Sequence, residues 1–63
     1  MKSVHLSPRQ EQVVRLISRG RTDRQIAALL GIDYSTVRVH VRLVFVRLHA
    51  TNRAEAAFKW ANR

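Results

Sequence analysis

The sequence predicts an all-α domain, a compact four-helix unit with a central helix-turn-helix. Three observations lead there. Ser7, Thr22 and Asn52 are each followed three residues later by Gln or Glu, and Asp33 precedes another periodic segment, so cap residues open four segments. Apolar residues recur at three- and four-residue spacing after each cap. Gly31 stands two residues before Asp33, which leaves room for only a tight turn between the second and third segments.

Residues 1–6 lack periodicity and read as an N-terminal tail, with Val4 and Leu6 placed to tuck onto the core; residues 7–62 form the domain. Ser7-Pro8-Arg9-Gln10 starts the first helix: Ser7 caps, Pro8 takes the first helical position, where no N–H is missed, and Gln10 closes a capping box. Val13, Val14, Leu16 and Ile17 supply its core face, and Arg19-Gly20 ends it, giving a helix over 8–19. The second helix runs over 23–30 from a Thr22–Gln25 capping box, with Ile26, Ala27, Leu29 and Leu30 as its apolar face. Gly31 stops it. Asp33 is then expected to cap the third helix and to sit favourably at the positive end of its dipole.

The third segment is ambiguous at first sight. From Val37 to Phe45 it alternates apolar and polar and is rich in β-branched residues, a strand pattern that would suggest a winged-helix variant. Two features favour a helix. No hairpin turn follows before Ala50, so a strand would lack a partner. Val37, Val41, Val44 and Leu48 also form one helical stripe, with Phe45 beside it. Asn52-Arg53-Ala54-Glu55 reads as a further capping box opening a fourth helix over 53–61, with Ala54, Ala57, Phe58 and Ala61 on one side.

Sixty-three residues allow one small domain of marginal stability, since such a chain buries only about 60% of its unfolded surface. There is no cysteine, and His5, His40 and His49 lack ligand-like spacing, so neither disulfide nor metal is expected to staple it. Twelve Lys+Arg against four Asp+Glu give +8, the electrostatic footprint of a nucleic-acid binder. Ten of the twelve are Arg, whose planar fork pairs with phosphates and guanine edges. No signal peptide or membrane span is evident, which points to the cytoplasm. There is no nucleophile–base pair, Gly-rich phosphate cradle or paired acids, so no enzyme, cofactor or small-molecule substrate is expected. His40 reads as a packed or hydrogen-bonded residue.

Small Ala27 facing the turn, Gly31 making it and Val37 locking the following helix have the spacing of a helix-turn-helix, whose second helix enters a DNA groove. On that helix Arg38 and Arg42 lie one turn apart, candidates for guanine O6 and N7, and Val39 is placed to touch a thymine methyl. Tyr34, Ser35, Thr36 and Arg47, with Arg24 and Gln25 from the second helix, suit phosphate contacts. Between Asp33 and Glu55 no acid interrupts Arg38, Arg42, Arg47 and Arg53, so a uniformly positive face is expected. Val39, Leu43 and Val46 make a second apolar stripe, which with Phe58 and Trp60 suggests a covered surface.

Leu6-Ser7-Pro8-Arg9, Ile26-Ala27, Thr36-Val37-Arg38-Val39-His40 and Arg53-Ala54-Glu55-Ala56 resemble the LuxR/FixJ-type (GerE-like) DNA-binding domain, over about Leu6 to Trp60 without gaps. The resemblance implies the C-terminal output module of a transcription regulator. Its third helix, about 34–48, would read double-stranded DNA in the major groove. Its fourth would form a homodimer, or a heterodimer with a related regulator, through Ala54, Ala57, Phe58, Trp60 and Ala61. The chain departs from the family pattern at Leu43 and Val46, where polar or basic residues are usual, and at His49, where Gly is usual. Two alternatives stay open. One is a small interaction protein that binds and inhibits a full-length regulator of this type. The other is a module like region four of a sigma factor, which the Asn52–Ala57 segment fits less well.

Overall fold

The computed structural model describes residues 5–63; Val4 and the preceding part of the expected tail lie outside them. Four helices follow in order among the described residues: α1 (Pro8–Ser18), α2 (Asp23–Leu30), α3 (Tyr34–Leu48) and α4 (Arg53–Ala61). The ambiguous third segment is helical. Its Val37, Val41, Val44 and Leu48 are all buried, and core packing outweighs the modest helix propensity of its many valines.

The helix starts follow from local hydrogen bonds. Gln10 N donates to Ser7 Oγ at 3.1 Å and Ser7 N to Gln10 Oε1 at 2.9 Å, with Pro8 at the first helical position. Thr22 and Gln25 repeat the arrangement at 2.9 and 3.1 Å. Gly31 ends α2 at φ 67°, and its N–H donates to Ala27 O. α3 departs from expectation at its start: Asp33 occupies the cap position but its carboxylate accepts no cap hydrogen bond, leaving only its charge near the dipole. At α4, Asn52 Oδ1 accepts from Glu55 N at 2.8 Å, but Glu55 does not complete the box. Its Oε1 instead accepts from Thr51 N at 2.7 Å and Thr51 Oγ1 at 2.8 Å, one residue earlier.

α3 is the spine, packing on α1, α2 and α4. One core cluster joins Val13 and Ile17 of α1, Ile26 of α2, and Val37 and Val41 of α3; Ala27, Leu16 and Leu30 close its margin. The other joins Val14, Val44, Leu48, Ala56 and Trp60, with Leu6 packed against it; Phe45 touches both. Two expectations are corrected here. Leu29 belongs to no core face and is 60% exposed, because so short a helix turns only a narrow stripe inward. Trp60 is 7% exposed, so it is core and not a surface residue. A domain of this size needs its largest side chain inside, and α4 accordingly turns Ala56 and Trp60 inward.

Candidate nucleic-acid interface

The first turn of α3 presents Tyr34, Ser35 and Thr36 to solvent beside α2. Arg24 of α2 lies over the Tyr34 ring, 4.6 Å from its centroid, so the two expected phosphate-contacting side chains brace each other. Gln25 is exposed, but its side-chain oxygen is occupied by Thr22 N, which leaves only its amide NH2 to offer. Arg38, Val39 and Arg42 are exposed one turn further along α3, Val39 opposite its buried stripe and the two arginines on the flank between. Arg47 is exposed beyond them, and its Nη1 donates to His5 O at 2.9 Å.

The face is not uniformly positive. Asp23, at the start of α2, reaches into it with a side chain only 10% exposed. Its two oxygens hold Arg38 Nη1 at 2.8 Å and Arg53 Nη1 at 2.5 Å. Burial pushes the Asp23 carboxyl up, but hydrogen bonds from Arg38 and Arg53, reinforced by their charges, outweigh it and hold its pKa below the ordinary range. Arg38 is shifted up by the same hydrogen bond. Arg53 Nη2 also donates to Arg21 O at 2.6 Å, so its fork clamps the first turn of α4 to the α1–α2 connection. A shallow groove between α3 and α4 is lined by Arg38, Arg42 and Arg53 with Val41 and Phe45 at its floor; an adjoining one is lined by Thr22, Asp23, Arg24 and Tyr34. Of Arg38, Arg42 and Arg53, Arg42 is the one that makes no ion pair or hydrogen bond among the described residues.

His40 is half-buried on α3, and its Nδ1, out of solvent, has no hydrogen-bond partner among the described residues, so it is packed without being bonded through that atom. On α4, Ala54, Phe58 and Ala61 are exposed, with Phe58 turned away from Ala56 and Trp60, and Ala57 is half-buried at the border between the two sides. Phe58 is 67% exposed. No helix among the described residues is long and apolar enough to cross a membrane.

This geometry agrees with what the chain is similar to. Residues 4–59 match the bacterial regulatory proteins of the luxR family. The chain belongs to that family. Among its relatives, the two-component response regulator PprB of Pseudomonas aeruginosa is 48% identical over 52 residues, which is 82% of this chain and 19% of PprB. The nitrate/nitrite response regulator protein NarL of Escherichia coli is 38% identical over 52 residues, 82% of this chain and 24% of NarL. The transcriptional activator protein EsaR of Pantoea stewartii is 40% identical over 50 residues, 79% of this chain and 20% of EsaR. The chain thus spans about a fifth to a quarter of the length of these relatives.

Within this luxR-family domain the residues that sequence reasoning missed are Asp23 and Arg53 as a unit. Asp23 was legible only as a first-turn acid of α2, and Arg53 only as one more positive charge. One signal existed: Arg53 opens a helix, where a cation meets the positive dipole end and needs an anion nearby. Nothing in the spacing says that the anion comes from 30 residues away.

Proposed function

We propose that this chain is a sequence-specific DNA-binding module of a transcriptional regulator, with α3 as its recognition helix in the major groove. The observation that carries this reading is the outward side of α3, where Arg38, Val39 and Arg42 follow a polar first turn and no core role competes for them. Arg38 and Arg42 take guanine edges and Val39 a thymine methyl. Arg24, Gln25, Tyr34, Ser35, Thr36 and Arg47 take phosphates and set the register.

Titration of a duplex at several salt concentrations tests the reading. With some five phosphates neutralised, log K falls against log salt with a slope of roughly −4 to −5. At the preferred site, Arg42→Ala and Arg38→Ala each cost about 1–3 kcal/mol and relax base preference, whereas Arg24→Ala weakens all sequences alike. A slope near zero, or an unchanged preferred site in both variants, overturns it.

The outer side of α4 favours a pairing role as well. Phe58 stands exposed among Ala54, Ala57 and Ala61, small residues that let a second helix approach closely. A homodimer joined there would present two recognition helices to successive major grooves, about 34 Å apart. The same seam would serve a heterodimer with a related, longer regulator, whose DNA binding it would block.

A further inference from the structure

Val39, Leu43 and Val46 follow one another along α3 and are 49%, 38% and 64% exposed. They lie opposite the buried Val37, Val41, Val44 and Leu48, so the core does not explain them. Helical spacing puts Arg38 and Arg42 along one edge of this stripe and Arg47 along the other. An apolar strip between basic edges is complementary to a major groove, whose walls are phosphate and whose floor carries one apolar feature, the C5 methyl of thymine. The seven-residue step from Val39 to Val46 rises about 10.5 Å along the helix, which matches about three base-pair steps of 3.4 Å. Ser35 and Thr36 at the head of the same helix add hydroxyl donors suited to phosphate oxygens, which favours a nucleic-acid groove over an acidic protein helix.

We infer that Leu43 and Val46 are specificity-determining residues that pack against thymine methyl groups, extending the contact made by Val39 into a preference for successive thymines. The inference rests on the DNA-binding reading above. Water is excluded from the stripe only when methyl groups meet it, so the side chains discriminate thymine from cytosine without forming a hydrogen bond.

The test uses the duplex that the 63-residue chain selects from a random-core library. Uracil then replaces thymine one position at a time, which deletes the methyl and leaves the pairing edge intact. Each contacted methyl is expected to be worth about fourfold in affinity. Val46→Ala and Leu43→Ala, changes at exposed positions, should each abolish the uracil effect at one position and leave the others. Equal affinity for thymine and uracil duplexes, with salt-dependent binding intact, overturns this inference and spares the DNA-binding reading. A uracil effect that keeps its full size at every position in both variants overturns it as well. Failure to bind any duplex at low salt overturns both. If sedimentation shows self-association lost in Val46→Ala while uracil has no effect, a protein partner covers the stripe and the inference is wrong.

Discussion

Arg38 and Asp23, fifteen residues apart in sequence, meet at 2.8 Å on the exposed side of α3. The arginine proposed to read a base edge is therefore held by an acid from the preceding helix, and that acid also holds Arg53. One carboxylate thus ties α2, α3 and α4 together and removes part of the positive charge from the face. Both arginine side chains are more than a third exposed, at 52% and 38%, so solvent screens the pairs and their contribution to stability is modest.

Acid titration of stability reads the Asp23 pairs. The Asp23 pKa is lowered on folding, so the unfolded chain binds the proton more tightly. The pairs then stabilise the fold above the ordinary aspartate range and are lost as pH falls through the lower, folded pKa. Thermal melts from pH 7 downward should show this loss, at most about 1 kcal/mol after screening. Asp23→Asn should lower stability at pH 7 and flatten part of the acid limb. Glu55, which hydrogen bonds from Thr51 N and Oγ1 also shift down, adds to the same limb. An unchanged acid limb in Asp23→Asn would show that the pairs carry no net stability.

His49 closes α3 in the left-handed region at φ 55°, a conformation that costs a residue with a Cβ about 1–2 kcal/mol. The turn itself is well bonded: Ala50 N donates to Phe45 O at 2.8 Å, and Lys59 Nζ donates to His49 O at 2.7 Å. These bonds use His49 backbone or none of it, so His49→Gly keeps them. After the added freedom of the unfolded chain is subtracted, the substitution should stabilise by roughly 0.5–1 kcal/mol. A rise in Tm of several degrees is expected, since the domain is small. A drop would mean that the imidazole itself holds the turn.

Caps that look alike in sequence should behave differently. Asn52→Ala removes the 2.8 Å bond to Glu55 N and should cost about 1 kcal/mol. Asp33→Ala removes no cap hydrogen bond and should cost only about 0.3–1 kcal/mol through the dipole, less with added salt. Melts of the two variants at low and high salt separate the mechanisms. Equal, salt-independent losses would contradict the hydrogen-bond assignment.

The two aromatic residues of α4 should divide stability from association. Trp60→Ala opens a cavity in the second core cluster and should cost about 3–5 kcal/mol, enough to unfold much of so small a domain. Phe58→Ala should leave the melt nearly unchanged, since the ring is 67% exposed, and should weaken any dimer seen by sedimentation at micromolar concentration. Dimerisation indifferent to both Phe58→Ala and Ala57→Glu would move the seam away from α4.

The starts of α1 and α2 and the end of α2 were legible in the sequence. Ser7–Gln10, Thr22–Gln25 and Gly31 act through bonds that close within four residues, so local chemistry decides them. The sequence by itself also determined the inward stripe of α3, because Val37, Val41, Val44 and Leu48 form a long, regular pattern. Tertiary structure alone decided which side of α4 turns in. In this nine-residue helix Glu55 and Lys59 mark one polar side, but the apolar residues run from Ala56 and Trp60 round to Phe58, wide enough for two possible inner faces. The volume available against α1 and α3 selects Ala56 and Trp60 over Phe58. It alone decided that Asp23 lies between Arg38 and Arg53, and that the Asp33 carboxylate caps nothing. Periodicity fixes which residues share a face of one helix. The rotation and crossing of one helix against another come from packing summed over the whole core, and no single stretch of sequence contains that sum.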